Sequence, residues 1–337
     1  MTQPVETLAP QDMVRTSYLE AIVQAQIEEM ERDEHVVMLG EDIAVYGDGK
    51  IIETFGGSRV WSTPISENSF CGIAIGAAMT GLRPIVNLNI ASFVYLPSDQ
   101  IINQAAKLHY MTGGQMKVPA VFRCVMFYSA GNAAQHSDRP YPLFMNPPGL
   151  KVIAPSGPAD AKGLIKSAIR DDDPVFVFED STLWPTKEPV SMDPDVLIPI
   201  GKADVKRQGE DVTVIAVAGS NRPSLKAADM LSKKGISVEV VDPRTLVPLD
   251  KETLLSSVAK TGRVVIADPA HRTCSAASEI AAIIAEEGFG SLKAPVQRVT
   301  TPDVHVPFSP ALEKLIYPTK DTIIEAVEAV LYQEYSS

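Results

Sequence analysis

The chain has 337 residues, 45% apolar and 21% charged, with 30 Lys and Arg against 42 Asp and Glu for a formal net charge of −12. That is enough chain for two domains with sizeable cores, and its acidity argues against nucleic acid or an anionic membrane as partner, because phosphate binding needs clustered Lys and Arg. No apolar run approaches the ~20 residues of a membrane span, and the start, Met1 to Glu6, lacks the plan of a signal or transit peptide, so a cytoplasmic location is expected.

Strand-like and helix-like segments alternate throughout, the pattern of parallel sheets wrapped by helices. The expected fold class is therefore α/β, with two doubly wound domains. Tyr18 to Met30 has helical spacing, and Val36 to Leu39 is a short apolar strand ending at Gly40-Glu41-Asp42. A helix is predicted over Gly72 to Gly81, a strand over Pro84 to Leu88, and a helix over Ser98 to Met111 that breaks at Gly113-Gly114. Ala120 to Arg123 and Leu150 to Ile153 read as strands, Pro158 to Asp171 as a helix with proline in its first turn, and Val175 to Phe178 as a buried strand. The stretch Val125 to Gly149, which contains His136, has little periodicity. A loop of that length inside a compact domain is usually functional.

From Leu183 to Asp204 the pattern stops, since Pro185, Pro189, Pro194 and Pro199 break helices and demote strands. The expected division is residues 1–182, a linker over 183–204, and a second α/β domain over 205–337. In the second domain, strands are predicted at Val212 to Ala218, Val238 to Val241, Val264 to Ala267 and Val296 to Val299. Helices are predicted at Pro223 to Lys233, Lys251 to Lys260, Ala276 to Glu287 and Thr319 to Leu331.

Cys71, Cys124 and Cys274 are odd in number and far apart, with neither zinc spacing nor a disulfide framework. Cys71 and Cys124 stand in apolar surroundings and read as inert buried thiols. There is no Gly-x-x-x-x-Gly-Lys-Ser/Thr loop, no Gly-x-Gly-x-x-Gly after a strand, no Gly-x-Ser-x-Gly elbow and no His-Glu-x-x-His. An enzyme with this sequence borrows its reactive group from an organic cofactor or another subunit.

One carboxylate stands out. Thr63-Pro64-Ile65-Ser66-Glu67 leads into Gly72-Ile73-Ala74-Ile75-Gly76-Ala77-Ala78, a helix of small and apolar residues. Desolvation at the mouth of such an element favours the protonated acid and proton exchange near neutral pH. The plain alternative is a helix N-terminal glutamate stabilised by the macrodipole.

Thr63 to Glu67 is accompanied, in order, by Asn103-Gln104-Ala105-Ala106-Lys107, Tyr110 to Gly114, Ala134-Gln135-His136-Ser137, Pro148 to Val152, Asp160 to Leu164, Ala168 to Pro174, Asp242 to Leu246 and Val306-Pro307-Phe308. Together, from about residue 13 to 331, these closely resemble the β subunits of thiamine-diphosphate-dependent 2-oxo acid dehydrogenases of the pyruvate, branched-chain 2-oxo acid and acetoin types, in the transketolase-like superfamily. The resemblance implies a pyrimidine-binding domain followed by a C-terminal transketolase-type domain. It implies thiamine diphosphate shared with an α subunit that holds the diphosphate through Mg²⁺, in an α2β2 enzyme active only when assembled, and a lipoyl-bearing acyltransferase as acceptor. Glu67 matches the carboxylate that protonates the aminopyrimidine ring, and His136 the proton donor or acceptor of the active-site channel. Phe93 matches an aromatic position against the pyrimidine, with Ile65 and Leu88 lining the same pocket; plain sheet core is the other reading for these three. Ala120, Ala168, Ile169, Asp171 and Asp173 match a structural K⁺ site. Three acids at a helix C-terminus fit a bound cation, or simply a solvated helix end.

The resemblance leaves two further readings open, a carboligase that passes its acyl unit to a small molecule without a lipoyl complex, and a non-catalytic α/β scaffold subunit. Departures from the family pattern gather near the substrate channel: Cys124 to Tyr128, Asp138 to Pro142, Asn89, Leu96 and a shortened loop over Val45 to Arg59. In that loop Gly47-Asp48-Gly49 reads as a turn without a following helix. His35, His109, His271 and His305 are expected to pack or face solvent, with His271 the one worth testing.

Overall fold

The computed structural model describes residues 13–128 and 131–332. In chain order the strands are β1 Met13–Ser17, β2 Val36–Gly40, β3 Val60–Ser62, β4 Arg83–Ile90, β5 Val121–Met126, β6 Lys151–Ile153 and β7 Val175–Asp180, followed by β8 Lys187–Ser191, β9 Asp204–Arg207, β10 Val212–Ala216, β11 Val238–Asp242, β12 Thr245–Val247, β13 Val264–His271 and β14 Gln297–Thr301. Seven form one sheet in the order β12-β6-β7-β5-β4-β2-β3 and five another, β14-β13-β10-β11-β9. Within these two sheets all pairings are parallel except one at an edge of each, β12 with β6 and β9 with β11.

Every residue of β2, β5, β7, β10 and β11 is buried. Helices cover both faces of such sheets, which is why these strands read as continuous Val, Ile and Phe runs and not as alternating ones. Phe122, Phe144, Phe176 and Phe178 cluster on one face of the first sheet, with Phe144 and Phe176 centroids 4.6 Å apart. One continuous core includes Phe176 and Phe178 of the first sheet with Ile215, Val241 and Ile266 of the second.

The helices fall close to the expected spans. The first, Tyr18–Arg32, opens with a capping box: the Glu20 N–H donates to Ser17 Oγ at 3.3 Å and the Ser17 N–H to Glu20 Oε2 at 2.9 Å. The helix expected over Ser98 to Met111 divides into a π-helical stretch, Asp99–Ala105, and an α-helical one, Ala106–Met111. Two expectations needed correction. Within the proline-rich 183–204 stretch, β8 pairs antiparallel with β1, Pro189 opposite Arg15; a two-stranded ribbon has only edge positions, where proline is tolerated. Asp242 to Leu246 also yields a strand, β12, which leaves the second half to pair with β6 of the first sheet.

Strand order fixes where loops diverge. The chain passes from β2 to β3 on one side and returns to β4 on the other, so the loops leaving the ends of β2 and β4 part company. The second sheet repeats this between β10 and β13. Such switch points are where open α/β sheets bind ligands. Among the described residues, no helix is long and apolar enough to cross a membrane.

Candidate active site

Glu67 opens the helix Glu67–Met79, just beyond β3, and is 5% exposed. Its helix can approach its neighbours closely because it is built from small residues. A Cβ on Gly72 would lie 3.2 Å from Gln100 Oε1 of the π-helical stretch. The carboxylate thus sits at a helix N-terminus, where the macrodipole favours negative charge, yet away from bulk water.

A second carboxylate, Glu41, lies at the end of β2. Backbone crowding places it: Gly40 has φ +153°, and a Cβ there would collide with the Asn87 carbonyl oxygen. Glu41 is 1% exposed, and neither carboxylate oxygen has a hydrogen-bond partner among the described residues. Burial, and then the negative charges of Glu67 and Asp42, push its pKa up to about 7. Two buried carboxyl groups with one poised near neutrality can hold and exchange a proton. Glu41 carries no distinguishing mark in the sequence beyond a Gly-Glu pair closing an apolar strand.

Phe93 lies in the turn after β4, half-buried, its ring edge-on to His136 with centroids 5.5 Å apart. His136 belongs to the turn Ala134–His136, tied to the Phe93 turn where the Asp138 N–H donates to Ser92 Oγ at 3.3 Å. The unusual residues after His136 anchor this loop. Arg139, 4% exposed, donates to the Ser137 carbonyl at 2.5 Å and lies over the rings of Tyr128 and Tyr317, at 5.3 and 4.8 Å. The Tyr141 hydroxyl bonds Asp268 of β13. Asn89, another departure, has φ +57°, a backbone conformation that asparagine tolerates better than large apolar residues do.

The other expected site residues scatter. Ile65 is 74% exposed beside Glu67, whereas Leu88 is wholly buried in the core under β4 and touches no open space. For Leu88 the packing role is the one the structure assigns. Ala120, Ala168, Ile169, Asp171 and Asp173 gather where β5 and β7 begin, the edge opposite Glu67. Two side-chain cations already meet that cluster. Lys151 Nζ lies 2.7 Å from Asp171 and 3.0 Å from Asp173, while Arg83 donates to the Ile169 carbonyl at 2.9 Å and to the Asp171 carbonyl. The acidity of the stretch therefore does not by itself ask for a metal. No group of three or more His, Cys, Asp or Glu suited to a metal ion occurs among the described residues.

Gly47-Asp48-Gly49 needs correcting, because the helix Gly49–Phe55 does follow it. Asp48 is buried and committed: Arg123 lies 2.5 Å from it and 2.6 Å from Glu179, and the Asn87 amide donates to it at 2.9 Å. Cys71 and Cys124 are buried, and burial pushes both thiols well above the ordinary range. The His271 ring nitrogen sits 3.0 Å from the Val304 carbonyl, a packing role.

Residues 15–186 match the family described as transketolase, pyrimidine binding domain, and residues 201–323 the family described as transketolase, C-terminal domain. The chain is 45% identical over 334 residues to the β subunit of acetoin:2,6-dichlorophenolindophenol oxidoreductase of Bacillus subtilis, covering 94% of this chain and 97% of that one. It is 42% identical to the 2-oxoisovalerate dehydrogenase β subunit of the same organism, covering 92% and 97%. It is 41% identical to the pyruvate dehydrogenase E1 β subunit of Rhizobium meliloti, covering 96% and 71%. A solved structure titled split gene transketolase, inactive β4 tetramer, shares the fold with a TM-score of 0.78 at 24% identity, over 94% of this chain and 98% of the other.

Proposed function

The chain belongs to the β subunits of the thiamine-diphosphate-dependent 2-oxo acid and acetoin dehydrogenases, and from that premise we propose that it forms half of an α2β2 enzyme that decarboxylates a 2-oxo acid, or cleaves acetoin, and passes the acyl group to a lipoyl acceptor. The observation that carries the proposal is the buried pair Glu67 and Glu41 at the first switch point. Glu41 presents two oxygens without partners among the described residues, and such buried groups normally find one. The aminopyrimidine of thiamine diphosphate, with its ring nitrogen and exocyclic amine, suits this pair of carboxyl groups.

When bound, thiamine diphosphate supplies a carbon nucleophile and an electron sink for breaking a bond next to a carbonyl. The work of this chain is proton management. Glu67 holds and donates a proton at the pyrimidine ring nitrogen, and Glu41, poised near neutrality, sets how readily that proton moves. His136, fixed edge-on to Phe93, is the acid–base group toward the substrate. The diphosphate and Mg²⁺ fall to the α subunit in this reading, because Asp48 of the Gly-Asp-Gly turn is consumed by Arg123. Ile65, Ile73, Tyr95 and Leu96 are exposed by half or more around the same region. Exposed apolar side chains of this kind suit a partner interface, and the chain alone is expected to be inactive.

The test is Glu67→Gln assembled with its α partner. Turnover is expected to fall by about 10²-fold or more, measured over a panel of 2-oxo acids and acetoin, with and without a lipoyl domain. Full activity in the variant would sink the assignment.

A further inference from the structure

His136 stands on an irregular loop whose backbone needs holding. Ala133 has φ +57° and Gly131 φ +70°. The first is a left-handed conformation that a residue with a Cβ adopts at a cost, and it persists only where its surroundings over-determine it. Two residues beyond the Ser92–Phe93 turn's side of the site, the constraint can be followed contact by contact.

It centres on one peptide unit. The carbonyl and the N–H of the trans peptide between Ser137 and Asp138 point opposite ways. The N–H donates to Ser92 Oγ, in the turn that also bears Phe93, at 3.3 Å, while the carbonyl accepts from Arg139 at 2.5 Å. This peptide, directly after His136 in the chain, is therefore clamped from both sides, and the His136 ring lies with its centroid 5.5 Å from that of Phe93.

Arg139 carries the constraint onward to the C-terminal domain, residues 201–323. Its guanidinium, 4% exposed, lies over the rings of Tyr128 and Tyr317. The Tyr317 hydroxyl donates to Glu313 Oε1 at 3.1 Å, and Glu313 Oε2 accepts the Gly131 N–H at 2.9 Å. Both ends of the 131–139 segment thus meet one pair of side chains from the other domain, and Glu313 is itself 1% exposed. Tyr128, Val306 and Tyr317 form a small apolar cluster separate from the main cores. Stability alone does not explain Arg139. Its Nε and Nη2 are buried with no hydrogen-bond partner among the described residues, and an apolar side chain of similar length would be cheaper to bury there. What the cation provides is a directed hold on the Ser137 carbonyl, with two aromatic faces to fix its own place.

We propose that Arg139 is a positioning residue for His136, and that Tyr317 and Glu313 of the C-terminal domain act through it to set where the imidazole stands. The inference rests on the acid–base role given to His136. Misplacing such a group by about 1 Å costs up to about 10²-fold in rate.

The experiment uses the complete chain assembled with its α partner, thiamine diphosphate and Mg²⁺, on whichever 2-oxo acid or acyloin the wild type turns over fastest. Arg139→Met is expected to lower kcat about tenfold or more. Its Kd for thiamine diphosphate, measured by calorimetry, should stay within about twofold, because Glu67 and Glu41 stand on other elements. Arg139→Lys, which keeps a cation and a donor, should recover part of the loss. In a His136→Ala background Arg139→Met should lower kcat no further, since nothing is left to position. Wild-type kcat in Arg139→Met overturns the proposal, and so does a loss of the same factor with and without His136. A matching loss of cofactor affinity also overturns it and leaves Arg139 a general structural role. Full turnover in His136→Ala removes the role assigned to His136, and the proposal with it. Should Arg139→Met not assemble, Tyr317→Leu is read in its place: lowered kcat with unchanged cofactor affinity is expected, and unaltered kcat overturns the proposal.

Discussion

Replacing Glu41 by glutamine keeps shape and removes charge, so it isolates what the charge costs the fold. Burial and the neighbouring Glu67 raise Glu41 to about 7 in the folded chain, against roughly 4.3 for a solvated glutamate. The folded chain therefore binds its proton more tightly than the unfolded chain does. Stability is full below about pH 4 and falls as pH rises toward 7, by 2.303RT for each pH unit in between. At about 1.4 kcal/mol per unit, over about 2.7 units, this amounts to up to about 4 kcal/mol at pH 8. Unfolding a chain of 337 residues changes entropy by about 0.7 kcal/mol per degree. Glu41→Gln should thus raise the midpoint of the purified chain by about 5 °C at pH 8 and leave it nearly unchanged near pH 4.5. Scanning calorimetry of wild type and variant at both pH values is the assay. A variant no more stable at pH 8, or one equally stabilised at both, would refute the placement of Glu41 as an unpartnered buried acid. In a Glu67→Gln background the gain should shrink, because the second cause of the raised value is gone.

Other expectations follow from the same geometry. Arg123→Met leaves Asp48 and Glu179 as unpaired buried charges and should cost about 3–5 kcal/mol, visible as a lower urea midpoint or as insoluble chain. Tyr141→Phe removes the donor to Asp268 and should cost about 1–3 kcal/mol; the cleavage rate of the 131–140 loop under limited proteolysis should rise. Gly40→Ala forces a Cβ into the Asn87 carbonyl and a strained backbone, so circular dichroism and solubility should report a chain destabilised by several kcal/mol, about 3 or more.

Parallel strands buried on both faces are written in the sequence as short Val, Ile and Phe runs, which is why β2, β5, β7 and β10 could be read directly. Glu67 was legible because it stands between an extended run and a small-residue helix. Glu41 was not, since its importance arises only when folding brings it near a second carboxylate that lies beyond a loop and a strand. The cation partners of the 168–173 cluster were hidden for the same reason: Arg83 and Lys151 reach it through space. Leu88 and Phe93 follow one another on the same segment, yet one faces the core and the other a turn next to His136. That distinction depends on where β4 ends. β8 was masked by its proline, and β12 by turn-forming residues around it.

The pairing of β12 with β6 bears on how the chain is made. A ribosome delivers β6 about 90 residues before β12, an interval of about 5–20 s at ordinary elongation rates. Throughout that time the larger sheet has a bare edge, with backbone donors and acceptors open to any other nascent strand. Its last strand arrives only after three of the five strands of the smaller sheet have been synthesised. The halves therefore mature together, and a gene cut within the proline-rich stretch would release an N-terminal fragment whose sheet edge never closes.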